Sequence, residues 1–480
     1  MRRSFRDAAC YGGAFLVIFF AVVYIVWPPI MPGGPPMTDF AAYYAAGKVW
    51  AHDGNPYGTD VWQVQRTLPN VDPTREELVP FFGPPLSLPL WALLAKLPYT
   101  AAMALWGTFL VVCVAVILYV PARLARRKLS LVDAVALLFF ACAWGPLVAG
   151  VAFGQAAIPA TAAVALAILL MSERRWRWAA VAATVAALFK PQLALALVGA
   201  VQCGTATVAL GVAALGSLIG NALIGGGVTG LVGYLSLLPQ QADSERFYIY
   251  QFAPTSIAYS FGLAEGQAVQ VGIIITALTV VVTTLVVWRS RASLVDGLLI
   301  VCAALPFALP YVHEYDFAVA LLPGFVALYR ARGTAWLLAA CGLILLAVEP
   351  FALGHEGAGL AVSVVTATIV ALEIAALTPL LYLRFRLAPL AVIPLVLCVG
   401  LGTPAKPVPL WPADLPADFR AAHGATATTV WKHELLAVGL QSRRPWDALL
   451  RCITLSGCIL VGAAMTMTTR AGSRREAANA

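Results

Sequence analysis

A single carboxylate, Asp39, stands in the stretch 37–57, MTDFAAYYAAGKVWAHDGNPY, just after an apolar run long enough to cross a membrane. If a helix begins here, Tyr43 and Tyr44 follow four and five residues later on the same face. A carboxylate that is partly shielded from water can have a pKa suited to abstracting a proton. The competing interpretation, which the spacing alone favours, is that Thr38 or Asp39 caps a short surface helix.

Further polar groups stand where apolar runs meet. Gln155 closes the sequence FGQ at the end of a predicted span, where its amide could bind a sugar hydroxyl. Lys190 and Gln192 interrupt two short apolar stretches, and a cation at membrane depth is costly and therefore a functional candidate. We expect a phosphate near the membrane interface as the partner of Lys190, with snorkelling to lipid headgroups as the alternative.

The stretch 311–316, YVHEYD, places three titratable side chains at a junction between two apolar runs. His313, Glu314 and Asp316 within four residues are hard to explain by packing. His313 is predicted to contact a phosphate or hydroxyl rather than a metal, because no second His stands at a metal-ligand spacing from it. The sequence therefore predicts no metal site and no cofactor.

By composition, the chain that carries these residues is an integral membrane protein. Of its 480 residues 61% are hydrophobic and 11% charged, against roughly 25% charged residues in an ordinary soluble domain. Apolar runs recur without the alternation of a membrane β-barrel, so the spans are predicted to be helices. The net charge of +8 is attributed to membrane topology, and no nucleic-acid partner is predicted.

Clusters of arginine and lysine fall in alternate loops, which predicts that these loops and both chain termini are cytoplasmic. The clusters are Arg2/Arg3/Arg6, Arg123/Arg126/Arg127/Lys128, Arg174/Arg175/Arg177, Arg289/Arg291, Arg330/Arg332, Arg384/Arg386 and Arg470/Arg474/Arg475. The longer loops 31–99, 226–266 and 403–447 fall on the opposite side, and so do all five His. We expect chemistry on that extracytoplasmic face, without a nucleotide, because no Gly-rich phosphate loop is present.

The apolar runs predict an all-α integral membrane protein, a polytopic bundle of about 12–14 spans with extracytoplasmic loops. The predicted spans are 11–30, 100–120, 131–150, 156–171, 178–190, 191–204, 206–225, 267–288, 294–310, 316–329, 336–353, 358–382, 388–402 and 448–467. The stretch 81–98 contains four prolines and is predicted to be re-entrant or interfacial, because a full span there would put the arginine clusters outside. The tetrapeptide SLVD, at 130–133 and 293–296, is either a pair of helix N-caps, which we favour, or a trace of a transporter repeat.

Several short motifs follow one another in a fixed order. They are TDFAAYY at 38–44, GNPY at 54–57, FFGPPLSLPL at 81–90, FGQ at 153–155, FKPQ at 189–192 and HEYDF at 313–317. Together they resemble the membrane glycosyltransferases of family 87, which are similar to polyprenol-phosphate-mannose-dependent mannosyltransferases. The resemblance covers roughly residues 10–330. In that family an aromatic residue directly precedes the double proline, where this chain has Gly83, which leaves the shape of this segment open.

The resemblance implies a GT-C type of helical bundle and a polyprenyl-phosphate sugar as donor. It implies transfer of a hexose, mannose in the mannosyl members, to a lipid or glycan acceptor with inversion at the anomeric carbon. Asp39 matches the general base, and Lys190 and His313 are predicted beside the donor phosphate. The other predicted substrate contacts are Tyr43, Tyr44, Gln155, Gln192 and Asp316.

We predict a transferase module over 1–402, with its first extracytoplasmic loop at 31–99, followed by 403–480 with a further loop, the last span and a cytoplasmic tail. The expected partners are the lipid-linked donor, the acceptor and membrane lipids, at the inner membrane. The main alternative is a transporter or flippase of lipid-linked sugars, which needs a basic outer site but no general base. A polysaccharide polymerase or ligase would predict an arginine-rich outer loop, and 226–266 contains Arg246 alone.

Overall fold

The computed structural model describes most of the chain between the first predicted span and the C-terminal tail. It covers residues 37–347 and 409–479, apart from 70, 131, 132, 134–136, 138–140, 142–144, 203 and 442, and describes 200–202 and 473–479 by backbone alone. The predicted spans 11–30, 358–382 and 388–402 lie outside the described residues.

Every regular element of the described residues is a helix, so the predicted all-α class is confirmed there. The first nine helices are α1 Thr38–Trp50, α2 Asp60–Gln65, α3 Leu88–Leu94, α4 Tyr99–Leu124, α5 Gly145–Ala152, α6 Ala157–Ser172, α7 Trp176–Phe189, α8 Pro191–Ala194 and α9 Gly204–Ile224. The others are α10 Val228–Ser244, α11 Pro254–Ser260, α12 Glu265–Arg289, α13 Leu294–Ala308, α14 Ala318–Arg330, α15 Gly333–Ala347, α16 Ala427–Val438 and α17 Pro445–Asn479. Short 3₁₀ turns occupy Pro85–Ser87, Leu195–Gln202 and Glu314–Phe317.

Four described helices are long and apolar enough to cross a membrane: α4, α9, α12 and the part of α17 up to Gly472. Helices α6, α7, α13 and α15 are apolar but shorter. The predicted span 191–204 is not one α-helix, because α8 ends after one turn and continues as the 3₁₀ segment Leu195–Gln202. The proline-rich stretch 81–98 forms a 3₁₀ turn and the seven-residue α3, too short for a full span, as predicted.

The longer helices run between two ends of the bundle. At the arginine end, which we define by Arg123, Arg127, Glu173, Asp296 and Arg330, the helices meet through charged side chains. Arg330 at the end of α14 lies 2.8 Å from Asp296 at the start of α13, and Arg123 at the end of α4 lies 3.7 Å from Glu173 after α6. Arg127 lies 3.8 Å from Asp133. The loops with these arginines therefore share one end of the bundle.

The opposite ends of the same helices form what we call the site end. Helix α4 starts there, where Tyr99 stacks on Phe40 of α1 at 6.0 Å. Helix α6 starts just after Gln155, α7 ends just before Lys190, and α14 follows the turn that contains Asp316. The antiparallel course of consecutive apolar helices thus brings the polar residues between them to one place.

The SLVD tetrapeptide at 293–296 is a helix N-cap, as we favoured, and Ser130 and Asp133 of the first one make the same kind of capping hydrogen bond. Ser130 Oγ accepts the Asp133 N–H at 3.1 Å, and the Ser130 N–H donates to the Asp133 carboxylate at 3.0 Å. Ser293 Oγ accepts the Asp296 N–H at 3.2 Å. Local helix capping at the arginine end therefore explains why the tetrapeptide SLVD occurs twice.

The segment 409–447 packs over the site end against the two other long predicted outer loops. Glu434, fully buried in α16, accepts the Leu78 N–H at 2.8 Å. Arg75 donates to the carbonyls of Pro412 and Leu415 at 3.1 and 2.9 Å. On the other side of this segment the indole of Trp431 reaches the loop that follows α10. Parts of 31–99, 226–266 and 403–447 are thus in mutual contact.

Candidate active site

Helix α1 presents Asp39 in its first turn. Met37 precedes the helix with a left-handed φ of 57°, and no side chain caps the N-terminus. The N–H groups of Asp39 and Phe40 instead donate to the Phe153 carbonyl at 3.1 and 3.3 Å. The cap interpretation of Thr38 or Asp39 is therefore wrong, and the Asp39 carboxylate is left for another partner.

That partner is Gln155. Its Nε2 donates to Asp39 Oδ2 at 2.6 Å, and its Oε1 accepts the Tyr43 hydroxyl at 3.1 Å. The amide is almost fully buried, whereas Asp39 and Tyr43 remain partly exposed. Asp39, Tyr43 and Gln155, all predicted as site residues, therefore form one hydrogen-bonded chain, and no described residue hydrogen-bonds to Asp39 Oδ1.

Gly154 makes this chain possible. It has a φ of +71°, and a Cβ at this position would lie 2.6 Å from Cβ of Phe40. Its carbonyl accepts the Trp106 indole N–H at 2.8 Å. The left-handed turn between α5 and α6 therefore aims Gln155 at α1 at a point where only glycine fits.

Lys190 and Asp316 form a buried ion pair beside this chain. Lys190 Nζ lies 2.5 Å from Asp316 Oδ1, and the two side chains are 11% and 1% exposed. Asp316 Oδ2 accepts the His313 N–H at 3.0 Å, which fixes the turn 314–317. Lys190 also sits 4.5 Å from the centre of the Tyr315 ring. The lysine charge is thus held in place by a carboxylate and an aromatic face.

His313 is surrounded by a second set of polar groups. Its Nε2 lies 3.1 Å from Gln251 Nε2 and 3.5 Å from a Glu245 carboxylate oxygen. Its ring stacks on Tyr315 at 5.2 Å. Glu245 also accepts the indole N–H of Trp431 at 3.1 Å. His313 is thereby tied to the loop after α10 and, through Glu245, to the segment 409–447.

Burial changes the protonation of these groups. It raises the pKa of Asp39 to about 6, although the Gln155 amide and the charge of Lys190 oppose the rise. Burial likewise raises the pKa of Glu245 to about 7, and it lowers the pKa of His313 to about 3 with help from Lys190. His313 is therefore neutral, and Asp39 titrates just below neutral pH.

The remaining predicted site residues lie at different distances from Asp39. Gln192 donates to the Tyr311 hydroxyl at 3.1 Å, and Tyr311 donates to Gln241 at 3.4 Å, which extends the polar lining toward α10. Tyr44 is buried on another side of α1, where it donates to the Leu97 carbonyl at 2.9 Å. The structure therefore brings Gln192 toward the cluster and places Tyr44 outside it.

The proline-rich stretch borders the cluster beside Tyr43. Phe81 lies 6.1 Å from Tyr43 and stacks at 5.5 Å on Tyr57, whose hydroxyl donates to the Gly83 carbonyl at 3.0 Å. A Cβ at Gly83 would lie 2.6 Å from the Phe81 ring. Glycine before the double proline thus leaves room for Phe81. The GNPY motif forms a turn, in which Asn55 Oδ1 accepts the Tyr57 N–H at 3.0 Å.

Sequence reasoning missed several members of the cluster, namely Glu245, Gln251, Tyr311, Tyr315 and Trp431. Tyr311 and Tyr315 stand inside the stretch that pointed to His313 and could have been included. Glu245, Gln251 and Trp431 carry no spacing signal, because only the fold brings them together. No group of three His, Cys, Asp or Glu side chains in the described part of the chain is arranged to hold a metal ion.

Comparison with known families identifies the chain's class. The model of glycosyltransferase family 87 matches residues 81–310. Residues 81–310 belong to glycosyltransferase family 87. The match includes Gln155, Lys190 and Gln192 and ends before His313, and Asp39 precedes it. No significant match was found among curated proteins or solved structures.

The family 87 match over residues 81–310, together with the apolar helices, supports a membrane glycosyltransferase, an enzyme class that uses a sugar donor and an acceptor. The matched region supplies α3 to α13, which include the helices on either side of Gln155 and of Lys190. The site described above is therefore a candidate active site for glycosyl transfer.

Proposed function

We propose that this family 87 protein transfers a hexose, mannose by resemblance, from a polyprenyl-phosphate sugar to a lipid or glycan acceptor. Transfer inverts the anomeric carbon, with Asp39 as general base. The observation that carries the proposal is the Asp39–Gln155–Tyr43 chain next to the Lys190–Asp316 pair. It combines a partly exposed carboxylate, which can accept a proton, with a buried cation that can face a departing anion.

Asp39 has the properties that a base needs. Gln155 holds one carboxylate oxygen, so Oδ1 is left to accept the proton of the acceptor hydroxyl. As that hydroxyl oxygen bonds to the anomeric carbon, its proton passes to Asp39 and the bond from carbon to phosphate oxygen breaks. A pKa of about 6 keeps Asp39 mostly ionised at neutral pH while leaving it a stronger base than an ordinary aspartate.

Lys190 stabilises the leaving phosphate in this proposal. The electron pair of the broken bond stays on the phosphate, so negative charge grows there during transfer. Asp316 accepts one N–H of Lys190 and holds the amino group in place in a buried setting. The other N–H groups remain as donors to the phosphate, and a low-dielectric site strengthens this interaction.

The separation of charges along the bundle supports an extracytoplasmic active site. The predicted cytoplasmic clusters that include Arg123, Arg127 and Arg330 meet at the arginine end, and Asp39 lies at the opposite end. A polyprenyl tail confines the donor phosphate to the membrane edge, where a residue just after a predicted first span meets it. We place both termini in the cytoplasm of an inner-membrane enzyme on this basis.

The test uses the full chain in nanodiscs with radiolabelled polyprenyl-phosphate mannose and a membrane lipid extract as acceptor. We expect wild type to form a labelled product and Asp39→Asn to form almost none. The matched control is Asp60→Asn, an acid in the first turn of α2 in the same loop but outside the cluster. Asp60→Asn is expected to keep full transfer.

Transfer retained by Asp39→Asn would contradict the role of Asp39. Transfer from a nucleotide-sugar in place of the lipid donor would contradict the donor class. In sealed vesicles, movement of intact donor to the other leaflet without transfer, and equally in Asp39→Asn, would instead favour the transporter.

A further inference from the structure

Gln251 is a fully buried amide at the point where several segments of the site end meet. Its Oε1 accepts the Val312 N–H at 2.7 Å, and its Nε2 donates to Glu245 at 3.0 Å. Arg451, fully buried near the start of α17, donates to the Gln251 backbone carbonyl. Both ends of the amide and the backbone are therefore fixed by partners that the fold supplies.

These contacts determine which way the Gln251 amide faces. Because Oε1 accepts a backbone N–H, the group 3.1 Å from His313 Nε2 must be the amide nitrogen, which carries hydrogens. The Glu245 oxygen that lies 3.5 Å from His313 Nε2 accepts from the Gln251 amide at 3.0 Å. An amide nitrogen only donates, so the closer contact at 3.1 Å makes His313 Nε2 the unprotonated acceptor. In a neutral imidazole the proton then sits on Nδ1.

Nδ1 of His313 is enclosed by protein and has no hydrogen-bond partner among the described residues. Buried N–H groups are almost always paired, so an unpaired one in a cluster of polar residues needs an explanation. The ring as a whole remains accessible, with 14% of the side chain exposed. It lies against Tyr315, which also contacts the ammonium of Lys190. His313 and Lys190 therefore share one aromatic neighbour, and the lysine charge helps to lower the pKa of His313.

We infer that Gln251 is a positioning residue that holds His313 as the neutral Nδ1–H tautomer and so keeps that N–H for an oxygen of the bound substrate. The assignment of the tautomer does not depend on the proposed function. The assignment of the accepting oxygen to the phosphate of the sugar donor does rest on the proposed function. Gln251 touches no substrate in this account, and Arg451 and Val312 act by keeping the amide in place.

The tautomer can be measured directly in the full chain. With ¹⁵N-labelled histidine in nanodiscs, the protein contains five His, and His313→Asn assigns the signal of interest. Wild type is expected to show a protonated Nδ1 and an unprotonated Nε2 at about pH 8, above the pKa of about 7 of the neighbouring Glu245. Gln251→Glu replaces the donor by an acceptor, so the proton is expected to move to Nε2 or a second proton to be bound.

A matched control separates this effect from general disruption. Gln65 is also a nearly buried amide, and it exchanges two hydrogen bonds with the Val79 backbone, away from the cluster. Gln65→Glu is expected to leave the His313 signal unchanged. Should Gln251→Glu fail to fold, Gln251→Asn removes the contact with less change in charge and should make the tautomers exchange.

Three results would overturn the inference. A wild-type His313 protonated on Nε2 contradicts the tautomer without any variant. A Gln251→Glu protein with an unchanged His313 signal contradicts the role of Gln251. A wild-type Nδ1 signal that does not shift on addition of farnesyl phosphate contradicts the assignment of this N–H to a phosphate oxygen, and a shift supports it. Failure of sugar transfer with the expected tautomer intact would count against the proposed function alone.

Discussion

Each end of the bundle has pairs of a basic and an acidic side chain, but in opposite settings. At the arginine end, Arg123 and Glu173 are 53% and 36% exposed and their charged atoms are 3.7 Å apart. At the site end, Lys190 and Asp316 are 11% and 1% exposed and 2.5 Å apart. Water screens the first pair, and protein surrounds the second.

This difference in exposure affects both the stability of each end and the chemistry that its charged groups can perform. Exposed arginines add little stability and serve membrane orientation in our interpretation. Buried charges and amides must be paired, and the pairing changes the pKa of Asp39 and fixes the geometry around it. The following changes test whether the two ends differ as much as this comparison requires.

Removal of one buried charge should have the largest effect on stability. Lys190→Met leaves Asp316 unpaired, and we expect a loss of about 3–5 kcal/mol of unfolding free energy together with loss of transfer. Arg123→Met at the other end should cost at most about 1 kcal/mol. Thermal unfolding of both variants in one detergent would measure this, and equal losses would contradict the comparison.

Removal of the amide that holds Asp39 should reduce transfer about 10- to 100-fold, as expected for a lost hydrogen bond to a charged group. Because Gln155 opposes the raised pKa of Asp39, Gln155→Leu should raise that pKa further. The rise of activity with pH should then move to higher pH.

The control is Ser172→Ala, at the far end of α6, the helix that follows Gln155. The Ser172 hydroxyl donates to the Leu169 carbonyl within its own turn. This substitution should change neither the rate nor the pH profile. An unchanged pH profile in Gln155→Leu would contradict the link from this amide to Asp39.

The close packing between α1 and α3 at the site end should be more sensitive to an added methyl group than the packing around α9. A Cβ at Gly47 of α1 would lie 2.2 Å from the Trp91 backbone, whereas one at Gly211 of α9 would meet nothing within 4 Å. We expect Gly47→Ala to destabilise the protein by about 1–3 kcal/mol. Gly211→Ala should be neutral or stabilise by up to about 1 kcal/mol. Similar melting temperatures for the two variants would count against tight contact between α1 and α3.

The smallest effect is expected from an acid at the arginine end. Asp296→Asn weakens the partly exposed pair with Arg330 and should cost about 1 kcal/mol or less, with transfer unchanged. A transfer assay and an unfolding curve on the same sample are sufficient. A large loss of transfer would mean that the arginine end takes part in the reaction.

The sequence predicted the helical class and the positions of several apolar helices, because these leave local signals. Apolar length indicates spans, and a charge such as Lys190 in an apolar run indicates function. The place of Asp39 just after a predicted span was informative for the same reason. The contact of Asp39 with Gln155 has no local signal, since 116 residues separate them.

Other features needed the fold. Gln251 and Glu245 belong to no motif, and Trp431 comes from a segment that we had separated from the transferase module. Tyr44 looked equivalent to Tyr43 by spacing, but one residue turns a helical side chain by about 100°, so it faces Leu97 instead. Arg451 did leave a signal, as a charge near the start of the last predicted span, and could have been singled out.

The most direct test of Asp39 as the base is the pH dependence of single-turnover transfer in wild type and Asp39→Asn. A base must be deprotonated, so wild-type rates should rise tenfold per pH unit below a pKa of about 6 and level off above it. The small residual rate of Asp39→Asn should lack this dependence. A wild-type rate that is flat across pH 6, or the same acidic limb in Asp39→Asn, would contradict the account.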